Sequence, residues 1–108
     1  MVGKIEVVFT RGVIRYLDNL VVMLYEKEYF GSVDAAERYV SNIYDAVPEK
    51  IQKGLHKKTP TMLRYLGSDY IFCKTNSRTT WYVFFEKSKQ NYLITGILNN
   101  YCIEAKNL

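Results

Sequence analysis

Residues 79–98 read TTWYVFFEKSKQNYLITGIL, and this stretch decides the fold. Along 79–86 the apolar residues fall into two alternating sets. Trp81, Val83 and Phe85 share one face of an extended chain, and Tyr82 and Phe84 share the other. Such β-branched and aromatic content belongs to a strand. The polar residues 87–91 read as a hairpin loop, and 92–98 (YLITGIL) as the returning strand. Apolar residues on both faces mean that neither face is simply solvated. One face should carry helices, and the other should be a concave working surface. Trp81, with Val83 and Phe85 beside it, belongs to the core.

Toward the N-terminus, Asn76-Ser77-Arg78 reads as a turn, 70–75 (YIFCKT) as a strand and Gly67-Ser68-Asp69 as another turn. The residues after Pro60, 62–66, read as a short strand. Before Pro60 the period becomes helical. Ala36, Tyr39, Val40, Ile43, Tyr44 and Val47 form one stripe, with Asp34 in the first turn. Pro48 has no N–H to donate, so it should end this helix or open a short turn at 49–53, closed by Gly54. An earlier stripe comprises Val13, Ile14, Leu17, Leu20, Val21, Leu24 and Tyr25, with Thr10 as its cap. Phe30-Gly31-Ser32 separates the two helices, Gly31 ending one and Ser32 capping the next. Residues 4–9 (KIEVVF) read as a first strand that joins the sheet beside a later one. The expected class is α+β, as one domain over 1–108: an N-terminal strand, a helical hairpin, then an antiparallel meander of about four strands packed on the helices.

Composition narrows the function classes. At 48% apolar and with two prolines, the chain can build a core and is not a disordered one. The first strand has too short an apolar run for a secretory signal, and no run approaches a membrane span. A soluble, cytoplasmic protein is expected. Spacing leaves a disulfide between Cys73 and Cys102 open, although two isolated cysteines in that compartment favour reduced thiols. Phosphate-loop, dinucleotide and nucleophile-elbow signatures are absent. His56 is the single histidine, with neither cysteine near it in sequence, so neither metal nor cofactor is expected.

The net charge of +4 is local. Residues 49–64 hold Lys50, Lys53, Lys57, Lys58 and Arg64 against Glu49, five cations to one acid, and the remaining residues cancel at ten each. A basic excess of this kind suits an anionic partner, or simply a solvated loop.

The order of elements and the passages IEVVFT, KKTP, LRYLGSDYIFCK, TTWYVFFEK and ITGILNNY together resemble the RelE/ParE superfamily of bacterial type II toxins. The resemblance covers nearly the whole chain. It implies a small sheet backed by two helices, and a cognate antitoxin protein that wraps and neutralises the toxin. One branch of that superfamily cleaves messenger RNA on the ribosome; the other poisons DNA gyrase. The first branch needs no metal. The substrate's 2′-hydroxyl attacks the adjacent phosphate, and the protein supplies a base, an acid and cations for the charge on phosphorus.

Candidates for that chemistry are Arg64, Arg78, Tyr101 and His56. Arg64 can grip phosphate in bidentate fashion, and as a strand residue it would point away from Leu63 and Tyr65. His56 titrates near ~6.5 in the unperturbed state, but also suits an exposed loop. Tyr101 matches by position the C-terminal tyrosine or histidine of the cleaving members; its bland reading is a packed tail. Lys53, Lys57, Lys58, Arg64, Asn99 and Asn100 are the candidate nucleic-acid contacts. One departure stands out: cleaving relatives commonly open the strand at Tyr70 with an arginine, where this chain has Asp69-Tyr70, and Arg78 is the cation nearest to substituting for it. Apart from toxicity, the patch also suits a non-enzymatic basic binding module.

Overall fold

A computed structural model describes residues 4–26, 32–75 and 78–108. The elements are β1 (Glu6–Phe9), α1 (Arg11–Glu26), α2 (Val33–Gln52), β2 (Lys57–Lys58), β3 (Asp69–Lys74), β4 (Thr80–Ser88) and β5 (Asn91–Asn99), with 3₁₀ turns at Thr61–Leu63 and Ile103–Asn107. They form one five-stranded sheet in the order β1-β5-β4-β3-β2. The class is α+β, as expected, but the sheet is mixed. β1 runs parallel to β5, pairing Glu6 with Asn91 through Phe9 with Ile94, while the remaining pairs are antiparallel.

Both helices pack on one face. The apolar stripes place Val13, Leu17 and Leu20 of α1 and Val40, Ile43, Val47 and Ile51 of α2 against Ile71, Val83, Phe85 and Ile94 of the sheet. Trp81 belongs to this core, only 2% exposed. Its indole N–H donates to the Tyr39 hydroxyl at 2.9 Å, and that hydroxyl also bonds Thr75 Oγ1 at 2.7 Å, so the burial leaves no orphaned donor. Ile14 and Tyr25, read as part of the first stripe, lie at its margins and are exposed. Thr10 and Ser32 cap the helices through Val13 and Ala35, as their side-chain chemistry predicts. The expected break at Phe30-Gly31 and the turn residues Asn76-Ser77 lie outside the described residues.

Several expectations fail, each for a physical reason. Pro48 does not end α2, which continues to Gln52. Val47 and Ile51 are buried on one stripe, and their packing holds the helix in line across the missing N–H. Lys53 caps the helix, and Gly54, with a positive φ of 70°, permits the closing turn. Residues 62–66 are not a strand. After Pro60 the chain makes successive tight turns, with Leu63 N–H donating to the Pro60 carbonyl and Arg64 N–H to that of Thr61. Leu66 and Gly67 follow the same pattern. The fifth strand is instead the two-residue β2 at Lys57–Lys58, where a loop was expected.

That tightly turned segment lies across the second face of the sheet. Leu63 packs there with Tyr70 and Phe84, and Leu66, Tyr82, Leu98 and Leu108 complete the cluster. Two glycines permit the close approach. A Cβ on Gly96 would stand 2.9 Å from the Leu66 carbonyl oxygen, and one on Gly67 would stand 2.8 Å from the Phe85 nitrogen. β5 also carries an extra residue at this point: Phe84 pairs with Gly96 but Phe85 pairs with Ile94. The bulge at Thr95 flips the alternation, so Ile94 and Ile97 both reach the helical core. The face expected to be an open concave surface is therefore partly covered.

Candidate functional site

The predicted site residues separate into two groups. The first occupies one corner of the sheet, where the end of β5 meets the start of β4. Thr80 N–H donates to Asn100 Oδ1 at 2.9 Å, and Asn100 Nδ2 donates to the Arg78 carbonyl at 3.0 Å. The Tyr101 hydroxyl donates to that same carbonyl at 3.1 Å. Asn99 Oδ1 accepts from the Tyr101 N–H at 2.9 Å, and Cys102 Sγ lies 3.5 Å from the same oxygen. Four candidates from two separate stretches thus meet in one place, Asn99, Asn100 and Tyr101 by their side chains and Arg78 by its backbone carbonyl. The cause is topological. Trp81 pairs with Asn99, so the residues just before β4 and just after β5 have to be neighbours. Tyr101 is 68% exposed, so its ring is open to a ligand while its hydroxyl holds the backbone.

The second group lies toward the other end of the sheet. β2 pairs Lys57 with Tyr70 and Lys58 with Asp69, so the adjacent lysines point to opposite faces. His56 sets its ring edgewise to Phe85, with centroids 5.7 Å apart. Lys53 is tied to Glu49 at 3.0 Å in an exposed helical pair, an arrangement of little energetic consequence. Arg64 caps the 3₁₀ turn on the second face rather than sitting in a strand. It is exposed together with Tyr65, and the two do not alternate across a sheet.

The register also bears on the departure at Asp69-Tyr70. Asp69 pairs with Phe85 and Lys74 with Thr80, so Arg78 lies beyond the far end of β3, five residues or roughly 17 Å from Asp69. A cation at Arg78 therefore does not occupy the place of one at Asp69. Tyr70 is buried in the second-face cluster, against Phe84 and Tyr82, with its hydroxyl pushed above its ordinary pKa by burial and by the neighbouring Tyr82. It is a packing residue.

One residue that the sequence reading left unassigned now stands beside the candidates. Phe72 projects at the outer edge of β3, and the ammonium groups of Lys50 and Lys57 lie 5.6 and 5.5 Å from its ring centroid. The available signal was an aromatic residue out of phase with Ile71 and Cys73 on a strand whose partner is very short. Elsewhere, a pocket of about 260 Å³ opens between α2 and the end of β3, lined by Tyr39, Asn42, Cys73 and Thr75 among others; it includes none of the predicted residues. Among the described residues no group of three or more His, Cys, Asp or Glu side chains could hold a metal ion, and no helix is long and apolar enough to cross a membrane. Cys73 and Cys102 are unbonded thiols. No protein family, curated protein or solved structure matches the chain.

Proposed function

We propose that this chain is a toxin of the type II toxin–antitoxin class, similar to the RelE/ParE superfamily, that cleaves messenger RNA on the ribosome and is neutralised by a cognate antitoxin. The observation that supports this reading most is the convergence of Arg78, Asn99, Asn100 and Tyr101 at one exposed corner of the sheet. The element order, with both helices on a single face, also suits the resemblance.

The proposed chemistry draws on the substrate, solvent and this corner, with one further cation from the second face. The 2′-oxygen of the substrate forms a bond to phosphorus as its proton passes to solvent. The bond from phosphorus to the 5′-oxygen breaks, leaving a cyclic phosphate and a 5′-hydroxyl. Arg78 offsets the charge gathering on the phosphoryl oxygens, with Arg64 a further cation for the strand. Tyr101 carries the transferable proton at this corner and donates it to the departing 5′-oxygen. His56 lies toward the opposite end of the sheet and takes no part.

One observation favours the gyrase-poisoning branch as the second reading. The polar groups of Asn99, Asn100 and Tyr101 already hold backbone, an arrangement suited to a binding surface that does no chemistry. Induction of the chain in bacterial cells separates the two. Truncated messages within translated reading frames support cleavage, whereas a DNA-damage response with intact messages supports gyrase. Normal growth with neither overturns both. On the cleavage reading, Tyr101→Phe should slow truncation by roughly a hundred- to ten-thousandfold, the usual worth of one positioned acid.

A further inference from the structure

β2 covers only the first two residues of β3, Asp69 and Tyr70. From Ile71 to Lys74 the outer edge of β3 has no strand beside it among the described residues. Phe72 stands on this open edge, 36% exposed, between Ile71 and Cys73, which are buried. Lys50 reaches its ring from the last turn of α2, and Lys57 reaches it from β2. Among the described residues neither lysine has a carboxylate partner, since the one ion pair there joins Lys53 to Glu49. Two like charges drawn to a single ring repel one another, and an anion between them removes that repulsion. Lysines that merely guard a sheet edge against aggregation would extend into water instead of lying over an aromatic face.

We propose that Phe72, Lys50 and Lys57 form a site for one unpaired nucleotide of an RNA strand, the ring stacking the base and the ammonium groups holding its phosphates. Aromatic stacking combined with cationic contacts is how unpaired nucleic acid is held without reading its sequence. The site lies within reach of the proposed reacting corner. Phe72 is two residues along β3 from Lys74, the partner of Thr80, and Asn99 is one strand further across. That amounts to roughly 8 to 12 Å, a few nucleotides of an unpaired strand. The inference rests on RNA being the ligand of the proposed function, but its measurement is independent of cleavage.

The test is fluorescence anisotropy of the full chain with a labelled adenine-rich RNA of about ten nucleotides. Phe72→Leu should weaken binding by about five- to a hundredfold, whereas Phe72→Trp should bind as tightly as the native chain or more tightly. Lys50→Ala and Lys57→Ala should each lower the salt slope by about 0.7. All four changes are at the surface, and a melting curve for each variant confirms that it folds. Native affinity in Phe72→Leu, or equal loss in Phe72→Leu and Phe72→Trp, overturns the stacking site. A DNA strand of the same sequence that binds more tightly than RNA overturns RNA as the ligand. Capture of oligoglutamate in place of either strand makes the open edge a protein-docking strand and overturns the proposal. Loss of binding in Phe72→Leu without message truncation in cells leaves this site standing and removes the cleavage reading alone.

Discussion

Replacing Gly96 with alanine tests the least expected feature of the fold, the segment that crosses the second face of the sheet. In an unobstructed strand this change would favour the folded state by about 0.5–1 kcal/mol, because glycine loses more backbone freedom than alanine. Here the new methyl would meet the Leu66 carbonyl oxygen at 2.9 Å and the Leu66 Cβ and Cδ2 atoms at 3.1 Å. Relieving such overpacking costs about 1–3 kcal/mol. The net expectation is a loss of about 1–2 kcal/mol, or a Tm lower by roughly 4–8 °C for a domain of this size. Circular dichroism and the fluorescence of Trp81, the only tryptophan, should report the same midpoint. Gly67→Ala should cost more. Its methyl would lie 2.8 Å from the Phe85 backbone nitrogen and 2.7 Å from Thr95 Oγ1, and backbone cannot rotate away. Adding Leu66→Ala to Gly96→Ala should recover part of the loss beyond additivity, since it removes the Leu66 Cδ2 atom, one of the three close contacts, and leaves the carbonyl oxygen and Cβ in place. A Gly96→Ala protein melting at or above the native Tm would refute the placement of this segment, because a free second face predicts the opposite sign.

Tyr39→Phe removes the hydroxyl that accepts the buried Trp81 indole N–H and bonds Thr75, and should cost about 1–3 kcal/mol in urea unfolding followed by Trp81 fluorescence. Stability should also fall in alkali. Burial, with Asp18 adding to it at Tyr44 and Tyr82 at Tyr70, raises these hydroxyls above 10.0, and burial raises the Cys73 thiol above 9.0 despite the opposing charge of Lys50. The unfolded chain therefore ionises first as pH climbs. It holds fewer protons than the folded chain between the two pKa values, so stability is lost above about pH 9 and is unaffected by these groups at neutral pH. Urea midpoints at pH 8 and pH 10.5 check this, and Cys73→Ala should shrink the part of the decline that begins near pH 9.

Much of the fold was legible because it depends on periodicity and caps. The stripes of α1 and α2 predict which residues reach the core, and the alternation in β4 predicts which of its residues share the helical face. Thr10 and Ser32 announce helix starts by local chemistry alone. Local rules fail where distant packing outweighs them. The helix-breaking tendency of Pro48 yields to the burial of Val47 and Ile51, and the alternation in 62–66 yields to 3₁₀ turns that seat Leu63 and Leu66 on the sheet. The bulge at Thr95 is likewise invisible locally, since it exists only relative to β4. The candidate residues were legible by type but not by grouping. Charge counting put Lys57, Lys58 and Arg64 in one cluster, yet strand alternation sends the two lysines to opposite faces and a tight turn carries Arg64 elsewhere.

Sequence alone determined the α+β class, the helical stripes, the local excess of cations and the burial of Trp81, because each follows from side-chain chemistry repeated at short range. Tertiary structure decided which distant residues meet. Pairing of β4 with β5 brings Arg78 beside Asn100 and Tyr101, and the brevity of β2 leaves Phe72 open between Lys50 and Lys57. Strand register is a relation between segments far apart in the chain, set by the total burial that it achieves, so no single segment carries it.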